Sequence, residues 1–329
     1  MSKQVGKPAG ALPEMGVPLF VYSLPMSDKL RAYLYLHLCV FLWGFTAILG
    51  KLISLQALPL VWWRVFISAL TLMLILPKAP LRALTRGQFR QLFFIGMLVG
   101  VHWLCFYGAI KLSNASVAVA TMATASFFSA LTEPLILKKR VKGYELALGI
   151  LILPGMALLV GNLDWSYKLG FAVGVLGAFL AAVFTAYNKK VLDAPAPPPP
   201  LAISFVELFA AWSVCTVALP FASASDPGFV FLPQGIDWAW MLVLAWVCTV
   251  WTYYLSLLAM RHLTAFATNL SINLEPVYGV MLAALIFRED KELSPGFYMG
   301  VAIILIAVFS HPFLKWWVEK KTPVEKTAS

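Results

Sequence analysis

The chain has 329 residues, 61% hydrophobic and 12% charged, with a formal net charge of +10. A soluble domain is roughly half apolar and about one quarter charged, so this composition excludes a water-soluble globule and points into lipid. The basic excess does not read as a nucleic-acid surface, because Lys and Arg sit in short clusters between apolar runs.

Residues 1–30 read as a flexible cytoplasmic tail. Their longest apolar stretch, Val17 to Leu24, is short and broken by Pro18, so no signal peptide is expected. A bilayer core of about 30 Å takes roughly 20 apolar residues per helix. That ruler predicts spans near 32–53, 59–77, 90–110, 115–137 and 143–161. A second group is predicted near 169–188, 201–221, 238–258, 265–287 and 296–316, with 318–329 as a cytoplasmic tail. Connections such as Lys111-Leu-Ser-Asn114 and Arg261-His-Leu-Thr264 are short, so consecutive helices must be antiparallel neighbours. The stretch Ala194-Pro-Ala-Pro-Pro-Pro-Pro200 cannot continue a helix and reads as a stiff linker. Cys39, Cys105, Cys215 and Cys248 all fall inside apolar segments without metal-ligand spacing, so they read as packing residues rather than disulfides.

Orientation follows from loop charges. With the N-terminus in the cytoplasm, the inner loops hold Lys78, Arg82, Arg86, Arg90, Lys138, Lys139, Arg140, Lys142, Lys189, Lys190 and Arg261. The outer loops hold only Lys51, Lys111, Lys168, Arg288 and Lys291, mixed with acids. Eleven basic residues against five places both termini inside, in a multi-pass inner (plasma) membrane protein.

The two groups of five spans are related. Ala109-Ile-Lys-Leu-Ser-Asn-Ala115 aligns with Ala259-Met-Arg-His-Leu-Thr-Ala265, and Leu135-Ile136 with Leu285-Ile286 at the same offset. One residue later, Gly149-Ile-Leu-Ile152 meets Gly300-Val-Ala-Ile303. Five spans per repeat is an odd number, so the second half crosses the membrane in the opposite sense. The purely basic Lys138–Lys142 loop and its mixed-charge partner Arg288–Glu292 fit that inversion. The expected fold is therefore an all-α membrane protein of ten transmembrane helices in two inverted five-helix repeats, residues 31–168 and 169–317.

The motifs Leu42-Trp-Gly-Phe-Thr46 running to Lys51, Trp63-Arg64, the paired Ala-x-x-x-x-x-Ala connections, and Leu274-Glu-Pro-Val277 leading to Phe287-Arg-Glu289 resemble the drug/metabolite transporter superfamily. The likeness is to its EamA-type ten-helix permeases and covers most of the chain between Tyr33 and Phe313. It implies transport, often export, of amino acids, related metabolites or drugs. The halves depart from one another at one place, where Ala125-Ser126 repeats Glu275-Pro276, so any site should be asymmetric.

Ionisable residues inside a span cost about 2.5–3.5 kcal/mol at its centre, so each should face the bundle interior or water. Thr264, Thr268, Ser271, Glu275 and Tyr278 form a polar stripe at helical spacing, and Pro276 frees a carbonyl. Glu275 reads either as a substrate-ammonium or proton site or as a structural hydrogen bond. His102 with Trp103 and Phe106 lies at the depth of Trp251 and Thr252 in the repeat, which suggests an aromatic cavity there. Trp43 joins that set through its motif and the adjacent Gly44. Arg64 is expected to snorkel, pair with an acid or hold a carboxylate, and Glu133 and Glu207 to sit at the cytoplasmic ends of their spans. Ala118, Met122, Ala125 and Ser129 approximate a close-packing stripe.

The reading is thus a secondary transporter of a small organic metabolite such as an amino acid, working by alternating access. The alternative is a non-transporting membrane scaffold or sensor. A membrane enzyme would need a constellation such as His-Glu-x-x-His or Gly-x-Ser-x-Gly, and the chain has neither. The expected partners are a small-molecule substrate and the lipid bilayer, with homodimerisation left open. No catalytic residue, metal, cofactor or nucleic acid is expected.

Overall fold

The computed structural model describes residues 27–113, 115–160, 165–225, 228–275, 277–279, 282 and 295–321. Among these residues the regular secondary structure is all helical, with no strand. The helices are α1 (Asp28–Leu52), α2 (Ala57–Ile75), α3 (Arg86–Leu112), α4 (Ala115–Met122), α5 (Thr124–Leu137) and α6 (Gly143–Val160). They continue with α7 (Lys168–Leu192), α8 (Pro200–Ser225), α9 (Asp237–Ala245), α10 (Thr252–Met260), α11 (Ala265–Ile272) and α12 (Pro295–Lys321). A π-helical turn, Trp246–Trp251, joins α9 to α10. Among the described residues, seven continuous stretches are long and apolar enough to cross a membrane, including Val117–Leu137 and Asp237–Met260, and two shorter apolar helices fall in α6 and α12. The predicted fourth span is therefore α4 and α5 with a break at Ala123, and the eighth is α9, the π turn and α10. The ninth is described through α11 and on to Glu275; Pro276 and the predicted loop Arg288–Glu292 lie outside the described residues.

Local sequence explains where the helices begin. The Ser27 side chain accepts the Leu30 N–H at the start of α1. Thr85 and Gln88 make a reciprocal capping box at the start of α3. Thr264 caps α11 by accepting the Ala267 N–H, so it serves the backbone rather than the polar stripe. The proline-rich linker stays non-helical until Pro200 opens α8, where a missing N–H costs nothing.

Burial is inverted relative to a soluble protein. Leu74, Leu135, Phe221 and Phe313 are more than 70% exposed, whereas Thr252, Glu207, Asn269 and Ser129 are fully buried. Apolar side chains face outward, where lipid would lie, and polar ones face inward.

Packing brings the halves together rather than leaving them side by side. α3 runs along both α7 and α8, α8 along α2, α10 along α1, and α5 along α7 and α11. Close approach at α3 depends on Gly96 and Gly100, four residues apart. A Cβ on Gly96 would stand 2.3 Å from the Glu207 carbonyl oxygen, and one on Gly100 2.9 Å from Ala211 Cα. Small residues at this spacing let membrane helix backbones meet. Another tie crosses at the start of α9, where Asp237 accepts the Ser54 N–H and, at 2.5 Å, the Ser54 hydroxyl.

Candidate functional site: a cavity between the repeats

A central cavity with about 780 Å³ of atom-free space, its mouth included, is walled by both repeats. Trp43 and Thr46 come from α1, Arg64 from α2, and His102, Trp103 and Phe106 from α3. The facing wall is Phe184 and Thr185 of α7, Thr249 of the π turn, Thr252 and Tyr253 of α10, and Thr268, Asn269 and Glu275 of the ninth span.

Seven of the ten residues singled out from sequence line this one cavity: Trp43, Arg64, His102, Trp103, Phe106, Thr252 and Glu275. They are linked as well as close. The Trp43 indole donates to the Thr252 hydroxyl at 3.0 Å, joining α1 to α10 across the repeats. His102 Nδ1 lies 2.8 Å from the Gly177 carbonyl. A carbonyl only accepts, so Nδ1 carries the hydrogen and, in the neutral ring, Nε2 is the acceptor. The Phe184 ring stands edge-on to the imidazole at 5.3 Å.

Trp251, Ser271 and Tyr278 are not among the lining residues. Trp251 and Thr252 are neighbours in sequence, and successive residues of a helix point about 100° apart, so when Thr252 faces the cavity Trp251 turns away from it. Cys248, Thr249 and Thr252 face the cavity, while Trp251 packs on a second core cluster with α1, α10 and α12. Ser271 donates to the Ala267 carbonyl one turn back. Tyr278 packs on α1, its ring 5.7 Å from that of Phe41, where Gly44 lets the backbones approach. The inward face of the ninth span is therefore Thr268, Asn269, Ile272 and Glu275.

Arg64 departs from two of the three expected roles. It is 3% exposed, so it does not snorkel, and no carboxylate lies within 4 Å of it among the described residues. Its Nε donates to Thr249 Oγ1 at 2.7 Å, and its terminal nitrogens to Tyr107 Oη at 3.0 Å and the Cys248 carbonyl at 3.3 Å. Its flat face lies 4.2 Å from the Trp103 ring centre. The π turn makes this cradle: Thr249 Oγ1 donates five residues back to the Leu244 carbonyl while accepting from Arg64.

The other two acids have partners in the second repeat. Glu133 lies near the end of α5, as its span position predicts, and accepts the Phe266 N–H at 2.6 Å, so it caps α11 across the repeats. Glu207 is fully buried and accepts from Tyr253 and Asn188, directly behind the cavity wall. Sequence reasoning passed over Thr249, Phe184, Thr185 and Asn269. Asn269 and Asn188 carried a usable signal, a buried amide in an apolar span; Phe184 did not.

A helical membrane bundle in which two repeats of one chain enclose a mainly apolar cavity with a few polar groups is an architecture that secondary transporters use. The sequence profile of the EamA-like transporter family matches residues 30–161 and 168–311, and the chain belongs to that family. No curated protein matches the chain. One solved structure, described only as "Crystal structure of protein", superposes with a TM-score of 0.68, over 89% of this chain and 98% of its own, at 14% identity. Likeness at that identity shows the shared fold.

Proposed function

We propose that the protein exports a small organic metabolite, such as an amino acid, by alternating access around the central cavity. In this reading it lies in the inner (plasma) membrane with both termini in the cytoplasm. Rocking of one repeat against the other exposes the cavity to each side in turn. Glu275 is the group that binds a substrate ammonium or carries a coupling proton. The observation that carries the reading is that both repeats wall one cavity, with Arg64 and Glu275 on its lining.

The test is flux of a labelled amino-acid panel in proteoliposomes, with and without a pH gradient, comparing wild type with Glu275→Gln. Saturable flux that the substitution abolishes or makes independent of the gradient is the expected result. Flux that is indifferent to Glu275→Gln removes that residue from the mechanism. Absence of flux across the panel sinks the amino-acid reading.

A further inference from the structure

Arg64 presents a problem that the fold does not solve internally. Its guanidinium is buried, its flat face rests on Trp103, and three of its N–H groups are given to neutral oxygens: Thr249 Oγ1, Tyr107 Oη and the Cys248 carbonyl. These contacts satisfy hydrogen bonds but not charge. A guanidinium carries five N–H groups, so one remains on each terminal nitrogen, the number a carboxylate takes in a two-point contact. A buried cation with no counter-ion in contact is costly, and it is retained where a ligand supplies the neutralising contact. Glu275 lines the same cavity and lies within electrostatic reach of Arg64, but among the described residues no ion pair within 4 Å joins them.

We infer that Arg64 is the anchor for a carboxylate carried by the transported molecule. The neutral cradle has a specific effect. Thr249, Tyr107 and the π-turn carbonyl fix the plane of the guanidinium without quenching its charge, so the fork is preorganised for an incoming anion. Apart from Arg64, His102 is the only lining residue among the described ones that can become cationic, too few for a phosphate dianion or a pyrophosphate. Apolar walls from Trp103, Phe106 and Phe184 leave the rest of the ligand to be uncharged or to end in an ammonium toward Glu275. The substrate class is thus a small monocarboxylate with an apolar body. This inference rests on the transport reading for its purpose but not for its test.

The experiment uses the purified full-length protein. L-Leucine, L-methionine and L-phenylalanine are each compared with their amides and decarboxylated amines, read by ligand-induced thermal stabilisation and by proteoliposome flux. The expected result is that wild type favours each carboxylate over its amide by about thirtyfold or more. Arg64→Gln should bring acid and amide to within about twofold of one another, and Arg64→Lys should restore part of the preference. If Arg64→Gln does not fold, Tyr107→Phe serves instead: it keeps the charge but loosens the cradle, so the preference for acid over amide should shrink severalfold without vanishing, and a preference left unchanged overturns the anchor. Equal response to acid and amide in wild type overturns the anchor, as does a preference that survives Arg64→Gln. Stabilisation by carboxylates without flux leaves the anchor standing and sinks transport of these compounds. Flux confined to the amines leaves transport standing and sinks the anchor.

Discussion

Along α2 the first repeat meets the second through Arg64, Ser68 and Thr71; along α5 it does so through Ser126, Ser129 and Glu133. In the α2 seam, Arg64 reaches Thr249 and the Cys248 carbonyl, Ser68 donates to the Ala245 carbonyl, and Trp246 donates to Thr71. In the α5 seam, Asn273 donates to Ser126, Asn269 to Ser129, and the Phe266 N–H to Glu133. The seams differ in what they leave over. Each side-chain nitrogen and oxygen of the α2 seam makes at least one hydrogen bond, whereas the buried Oδ1 atoms of Asn269 and Asn273 have no donor among the described residues. A buried acceptor without a partner costs roughly 1–3 kcal/mol, and water would satisfy it. Parting the α5–α11 seam would hydrate two such oxygens, while parting the α2 seam would strip a guanidinium of its cradle. The α5–α11 seam is therefore the less costly one to open.

The largest expected effect comes from breaking the tighter seam. Thr249→Val keeps the volume but removes the oxygen that accepts from Arg64 Nε and closes the π turn on Leu244. A hydrogen bond to a charged group is worth about 1.5–3 kcal/mol, and here a donor is also left buried and unpaired. The variant should lose about 2–3 kcal/mol of stability in a detergent denaturation titration. A loss below about 0.5 kcal/mol would show that the seams do not differ as drawn.

A smaller effect is expected at the helix cap of the looser seam. Glu133→Ala strands the Phe266 N–H at the first turn of α11. Losing such a cap costs about 1 kcal/mol. Glu133→Gln keeps an accepting oxygen in the same place and should recover more than half of that loss by the same titration. If Gln behaves like Ala, the carboxylate acts through its charge, and a cation contact replaces the cap as its role.

The span positions were legible because lipid imposes a length and excludes charge over it, a constraint written residue by residue in the chain. Much of the cavity was legible for the same reason: Arg64, His102 and Glu275 are costly in a span unless they face the interior, and all three line it. What was not legible is instructive. The repeat offset that pointed to Trp251 and Thr252 together could not say which of two adjacent side chains faces inward, and no residue pattern announces the π turn at Trp246–Trp251 that seats Thr249 against Arg64. Phe184 and Thr185 are placed by the packing of α7 against α3 and α5, which no local periodicity encodes. Glu207 was placed near the end of a span predicted from residue 201, and α8 does begin at Pro200; what the count could not show is that α3 packs on this turn through Gly96 and that Glu207 is fully buried. The rungs of the α5 seam went unread because Asn and Ser cost little individually, and their meaning lies in which helix they face.

The smallest expected effect is the sharpest test of the contrast. Asn273 offers Nδ2 to Ser126 Oγ at 3.1 Å while its own Oδ1 stays unpaired, and Ser126 keeps its bond to the Ala123 carbonyl in any case. Asn273→Leu therefore removes one hydrogen bond between membrane helices, worth about 0.6 kcal/mol on average. It also removes one buried acceptor that had no donor, an opposing contribution of similar or larger size. Stability should stay within about 1 kcal/mol of wild type, on either side, in the same denaturation titration. A loss beyond about 2 kcal/mol would mean that the Asn273 amide is fully used and the α5 seam is as tight as the α2 seam. Stability held near wild type together with slowed flux would instead place the rung in the transport cycle, because a tether that adds little to the resting state can still act where the seam must close again.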